Sequence, residues 1–158
     1  MISKHDLSLL NDPVAQELLR STMPAHLAYN WTDGEPRVVP MWFHWTGTEF
    51  VLGTPPNAPK VKALVNHARV ALSIDTPTYP HKVLQVRGTV RVETTDGVVP
   101  EYALAAERYF GEEQGRAWVA QADSLWPSMQ RIVITPLWVN IIDFETRFPS
   151  AIASAMAG

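Results

Sequence analysis

Pro36-Arg37-Val38-Val39-Pro40-Met41-Trp42-Phe43-His44-Trp45-Thr46-Gly47-Thr48-Glu49-Phe50-Val51-Leu52-Gly53-Thr54 decides the fold. Valine and aromatic side chains dominate both halves, and Thr46-Gly47-Thr48 interrupts them as a turn. The stretch therefore predicts one long strand over 36–45 and a second over 49–54. Upstream, His26 to Trp31 is strand-like, and Asp33-Gly34 supplies a hairpin turn. Three consecutive strands joined by short turns make an antiparallel meander.

The chain then changes character. Pro55-Pro56-Asn57-Ala58-Pro59 leads into Lys60-Val61-Lys62, which places two of the four lysines side by side where a short helix, about 59–67, begins. A helix N-terminus carries unpaired N–H groups and the positive end of the dipole, so two ammonium groups added there favour a phosphate. The ordinary alternative is a pair of solvated charges on a surface helix. The phosphate reading is the one adopted here, because lysine is scarce in this chain and the two fall at this junction.

Outward from this centre, Asp12-Pro13 reads as an N-cap with proline in the first turn, opening a helix over 12–20. Val70, Leu72 and Ile74 alternate with smaller residues, which predicts a strand over 69–75, and a looser alternation predicts another over 82–93. The two-proline segment between them is a loop. A helical insertion spans 98–122, with Gly111 and Gly115 as expected breaks. Arg131 to Phe144 reads as a long strand whose Pro136 requires an edge or a bulge, and the small-residue tail from Ser150 is expected to fray. The sum is a mainly β protein with helices (α+β), about six mostly antiparallel strands in a closed or partly closed barrel. It is expected to form a single domain over 1–158, with barrel segments 24–94 and 130–145.

Composition excludes several functions. The chain has 158 residues, a formal net charge of −3 and no cysteine. Without clustered positive charge there is no surface for a nucleic-acid backbone, and without cysteine there is no thiolate chemistry or disulfide. His26, His67 and His81 are scattered, so no metal site is expected. The opening Met1-Ile2-Ser3-Lys4-His5-Asp6 lacks the apolar stretch of a signal peptide, and no later run suits a bilayer, so a cytoplasmic protein without membrane contact is expected. No nucleophile elbow, zinc signature or Walker loop is present. Pro40, Met41, Trp42, Phe43 and Trp45 offer an apolar slot for a flat ring, and cofactor chemistry needs no committed catalytic side chain, so the catalytic residues stay unassigned.

The order of these features resembles the pyridoxamine-5′-phosphate-oxidase-like split barrels, a superfamily that includes enzymes using the deazaflavin F420. The resemblance covers about 26–92 and rests on the Arg37–Phe43 strand, Gly53-Thr54, Lys60, Lys62 and the strand opening at Arg69. It implies non-covalent FMN binding, with Lys60, Lys62 and Thr54 on the phosphate and the backbone of Val39, Pro40, Met41 and Trp42 along the ring. Arg37 would assist at the ring edge or pair with Glu35 or Glu49. It also implies a homodimer with the cofactor between subunits, to which some of Trp118, Trp126 and Trp138 would contribute. The chain departs from the authentic oxidase at Trp42, where that enzyme has lysine, and at Ile142, where it has tryptophan. Arg147 alone remains of its terminal arginine motif, which weighs against pyridoxamine phosphate as substrate. The expected activity is hydride or electron transfer between FMN and a small organic substrate. F420 with Arg69, Arg87 or Arg91 on its longer tail is the alternative, and a flavin or haem storage protein without turnover is a third.

Overall fold

The computed structural model describes residues 5–158, so the Met1–Lys4 part of the signal-peptide reading lies outside the described residues. A 3-10 turn, Leu7–Asn11, leads into helix α1, Pro13–Leu19. The strands are β1 (Ala25–Asn30), β2 (Pro36–Met41), β3 (His44–Trp45), β4 (Phe50–Thr54), β5 (Arg69–Asp75), β6 (Lys82–Asp96) and β7 (Ser128–Asp143). Helix α2 (Lys60–Asn66) follows β4, α3 (Pro100–Phe110) and α4 (Glu112–Leu125) lie between β6 and β7, and α5 (Ser150–Ala157) ends the chain.

All seven strands form one antiparallel sheet in the order β2-β1-β5-β6-β7-β4-β3. β2 and β3 are consecutive in the chain yet lie at opposite edges of the sheet. Only Trp42 and Phe43 separate them, so the two edges must come within about 11 Å of each other. The sheet therefore curls into a barrel that stays unclosed between β2 and β3: the split barrel. This corrects the expected single strand over 36–45. It breaks after Met41, and the hairpins on either side of the break belong to opposite edges instead of one continuous meander.

Side-chain alternation fills the barrel. Ala25, Leu27 and Tyr29 of β1, Val70, Leu72 and Ile74 of β5, and Leu84, Val86 and Val90 of β6 point inward and are buried. They meet Phe43, Phe50, Leu52, Ile132 and Ile134 in one core, which α1 plugs with Leu18 and Leu19. β4 and β7 are covered on both faces where they pair. Val51, Met129 and Val133 face away from the barrel into a second core with Val99, Tyr102 and Trp126 beneath the α3–α4 hairpin. That two-sided burial explains the uninterrupted apolar runs Phe50-Val51-Leu52 and Ile132-Val133-Ile134.

Pro136 sits at a bulge as expected. Arg87 pairs with Trp138 but Gly88 with Pro136, leaving Leu137 extra. Gly111 breaks the insertion with φ 87°. Gly115 does not: it lies inside α4, where a Cβ would come within 2.6 Å of the Glu107 Cα, so its role is close helix packing. The tail forms α5, all eight residues of which are exposed. No described helix is long and apolar enough to cross a membrane.

Asp12 fastens the two ends of the barrel together. Its Oδ1 accepts the Val14 N–H (3.0 Å), capping α1, and its Oδ2 accepts from Arg147 (2.6 Å), beyond β7. Burial alone would raise the Asp12 pKa, but the Arg147 and Val14 hydrogen bonds outweigh it and hold the carboxyl below its ordinary value. The resulting stabilisation is complete above the unfolded-state pKa and is lost as pH falls through the lowered folded-state pKa. We expect Asp12→Ala to destabilise the fold by about 1–2 kcal/mol at neutral pH. In urea titrations, its deficit against the parent should shrink as pH falls below about 4; a deficit that stays constant to pH 2 would contradict this role.

Candidate functional site

Because β2 pairs with β1 alone, its other side presents backbone N–H and C=O groups to the unclosed seam. A pocket of about 360 Å³ lies there. Val39, Pro40 and Met41 of β2 and the Trp42 link form one wall, and Gly53 and Thr54 at the end of β4 form another. Lys60 opens α2 beside them, while Tyr102 and Phe110 of α3 and Trp118 of α4 close the outer side.

The residues expected to bind a cofactor are thus largely brought together: Val39, Pro40, Met41, Trp42, Thr54 and Lys60 share this pocket. Arg37 and Lys62 do not line it. The Arg37 guanidinium lies 3.8 Å over the Trp31 ring, and of the two suggested carboxylates Glu49 is taken by Arg91 and Thr135. Lys62, two positions on from Lys60, falls on the exposed side of α2, because residues two apart on a helix do not share a face.

Electrostatically the pocket is one-signed. Lys60 is half-buried, and that burial pushes its pKa down; no carboxylate acts on it. Thr54 is buried, and among the described residues no acidic side chain or histidine lines the pocket. Among the described residues no group of three metal-ligating side chains comes together. A desolvated ammonium without a counter-charge is costly in the empty fold and becomes favourable when an anion binds.

The α3–α4 wall is what the sequence reading missed. The Trp42 ring stacks on Tyr109 (5.2 Å, 10° between planes), meets Phe110 edge-on (4.9 Å) and lies 5.6 Å from Tyr102. Arg108 clamps this layer to the barrel by donating to the Ser21 carbonyl (3.0 Å) and to the Phe43 carbonyl, while Tyr109 donates to the Met23 carbonyl (3.0 Å). The Trp118 indole donates to the Tyr102 hydroxyl at 2.8 Å and packs edge-on against Trp126. So Trp118 and Trp126 are used within the insertion, whereas Trp138 lies on the outer sheet face beneath the Arg87 guanidinium (4.2 Å). Gly53 makes the junction possible: a Cβ there would stand 2.9 Å from the Tyr102 side chain. The signal available in sequence was the aromatic spacing Tyr102, Tyr109, Phe110 and Trp118, which reads equally well as helix core.

His44 is half-buried beside this layer, and burial first, with the Arg108 charge second, lowers its pKa. Across the sheet, Arg69 and Arg87 share a separate cleft of about 380 Å³ with Ala28, Asn30 and Pro36. Arg91 is not with them; it pairs with Glu49 (2.8 Å) and Glu93 (3.0 Å).

With this geometry in place, the chain matches the family model described as pyridoxamine 5′-phosphate oxidase over residues 12–143. Among solved structures it is similar to an F420 reductase, at 27% identity and TM-score 0.62, over 79% of this chain and 94% of that one. A conserved hypothetical protein from Mycobacterium tuberculosis shares the fold at 20% identity and TM-score 0.62, over 81% of each chain. The haem storage protein HutZ from Vibrio cholerae shares it at 14% identity and TM-score 0.60, over 84% of this chain and 93% of that one. No curated protein matches the sequence.

The Gly53–Tyr102 contact yields a direct expectation. Gly53→Ala should push Tyr102 off its seat, costing about 1–3 kcal/mol by overpacking and weakening the near-ultraviolet circular dichroism of the Trp42–Tyr102–Trp118 layer. An unchanged spectrum and unchanged denaturation midpoint would show that this contact does not set the pocket wall.

Proposed function

The chain belongs to the pyridoxamine 5′-phosphate oxidase family, and from that premise we propose that it is an oxidoreductase holding FMN non-covalently in the seam of its split barrel. The observation that carries this reading is the Lys60 ammonium, half-buried and without a counter-ion, opposite an aromatic wall and an unpaired strand edge. Lys60 and Thr54 would hold the phosphate. The free backbone of β2 at Val39 and Met41 would meet the polar edge of the ring, Pro40 contributing a carbonyl but no N–H. Bound there, the cofactor would supply hydride or electron transfer to a small organic substrate, and the protein would supply position and exclusion of water. Trp42 adds apolar wall, which suits a larger or more hydrophobic substrate than pyridoxamine phosphate.

A second copy of the chain completes this reading. The outer face of β1, β5, β6 and β7 carries Ala28, Ala71 and Trp138, flanked by Val38 at 68% exposure, and we assign it to a homodimer contact. The F420 alternative draws on one specific observation: the Arg69–Arg87 cleft has two guanidinium groups and no carboxylate in its wall, which suits an anionic tail. Similarity to an F420 reductase favours the same reading. A storage protein for flavin or haem is the reading that remains when binding occurs without reduction.

Titration of the purified protein with FMN and with F420, followed by tryptophan fluorescence, separates these readings, and Lys60→Met tests the site. The variant should bind FMN roughly ten- to a hundredfold more weakly, having lost a charge-assisted contact. Its thermal midpoint without cofactor should be equal to or above that of the parent, because a desolvated ammonium opposes folding. Burial lowers the Lys60 pKa, so the penalty for its charge is full below the folded-state pKa and falls to zero as pH rises from there to the unfolded-state pKa. An anion raises the pKa again; FMN affinity is therefore expected to fall, with proton uptake on binding, as pH climbs through the lowered Lys60 pKa. Lys60→Met with full FMN affinity would remove Lys60 from the site, and binding of F420 alone would replace FMN as the cofactor.

A further inference from the structure

Tyr102 is more than wall. Trp118 donates its indole N–H to the Tyr102 hydroxyl oxygen at 2.8 Å, and an indole nitrogen is a donor only. The phenol oxygen is therefore the acceptor in that bond, and its own hydrogen must be directed elsewhere. Tyr109, about two turns further along the same face of α3, uses its hydrogen on the Met23 carbonyl. No such acceptor takes the Tyr102 hydrogen among the described residues. Both Tyr102 and Trp118 line the seam pocket, so the spare O–H belongs to whatever occupies that space. Burial raises the Tyr102 pKa, against the smaller opposing effect of Trp118, so the group stays protonated and acts as a donor.

The surroundings narrow what it can recognise. Around the pocket the charged or hydroxyl-bearing side chains are Lys60 from α2, Thr54 from β4 and Tyr102 from α3; β2 contributes only Val39, Pro40 and Met41. Among the described residues no carboxylate or imidazole lines the pocket, and its acceptors are the Thr54 hydroxyl and the carbonyls of the free β2 edge; on the α3–α4 side Tyr102 offers a donor, so the group it meets there must be an acceptor. If the phosphate is held by Lys60 and the ring lies along β2, the wall left for the second reactant is the α3–α4 side. Its aromatic faces, Tyr102, Phe110 and Trp118, suit a flat apolar body.

We propose that Tyr102, oriented by Trp118, is the specificity-determining hydrogen-bond donor for a planar carbonyl substrate of the quinone or enone class bound beside the cofactor. The inference rests on the cofactor reading above. The substrate carbonyl oxygen would accept the Tyr102 O–H, which fixes its orientation and draws electron density away from the carbon framework. Gly53 is part of the device, since Tyr102 reaches this position only where β4 lacks a side chain.

The test uses menadione as the probe, with Tyr102→Phe and Trp118→Phe variants, each titrated with FMN separately. We expect Tyr102→Phe to bind menadione roughly tenfold more weakly, the loss of one hydrogen bond in a desolvated site, with FMN affinity unchanged. The infrared carbonyl band of bound menadione should shift to lower frequency in the parent and return towards its free value in Tyr102→Phe. Trp118→Phe keeps the phenol and should retain part of that shift. Equal menadione affinity and an identical carbonyl band in parent and Tyr102→Phe would overturn the proposal, as would a Tyr102→Phe defect confined to FMN. Failure of both parent and variants to bind FMN would refute the cofactor reading while leaving the carbonyl band to judge Tyr102 by itself.

Discussion

Two residues, Trp42 and Phe43, carry the chain from one edge of a seven-stranded sheet to the other. That tether is short enough to force the sheet into a barrel, which stays open because β2 and β3 are not hydrogen-bonded to each other. Phe43 turns inward to the core, fully buried against Phe50, and Trp42 turns outward into the α3 aromatics. β2 is left with a free edge, and a free edge is where a planar ligand finds backbone donors and acceptors that need no further preparation.

The charge distribution follows the same geometry. Elsewhere the chain pairs several of its cations with carboxylates: Arg131 is held between Glu93 and Glu101, Arg91 between Glu49 and Glu93, and Arg147 on Asp12. In the seam and on the outer face it does not. Lys60, Arg69 and Arg87 stand in clefts whose walls carry no carboxylate. Of these only Lys60 is half-buried, Arg69 and Arg87 being exposed; its desolvated charge opposes the empty fold, and an anionic ligand offsets that cost.

Much of this was legible in the sequence. Alternation placed β5 over 69–75, as observed, and Asp12-Pro13 marked the start of α1, because local capping and period-2 burial are written into neighbouring residues. The break at Met41–His44 was not legible. Trp42 and Phe43 continue the apolar run of β2, and only long-range pairing of β3 with β4 and of β4 with β7 shows that the run changes edges. Within the site, the Lys60–Thr54 pairing followed from a short sequence separation, but Tyr102, Phe110 and Trp118 come from an insertion about fifty residues or more beyond β4. Their periodicity describes a helix core, and nothing in it shows that one side of that core opens on the seam. Gly115 misled for the same reason: a glycine required by helix–helix contact looks, in sequence, like a helix break.

Whether the unclosed seam is a cofactor site is decided by a crystal structure of the protein grown with FMN. The FMN phosphate is expected within hydrogen-bonding distance of the Lys60 Nζ and the Thr54 hydroxyl, with the isoalloxazine ring along the free edge of β2 at Val39 to Met41. A structure with FMN bound elsewhere, and with the Lys60 ammonium facing only solvent, would contradict it.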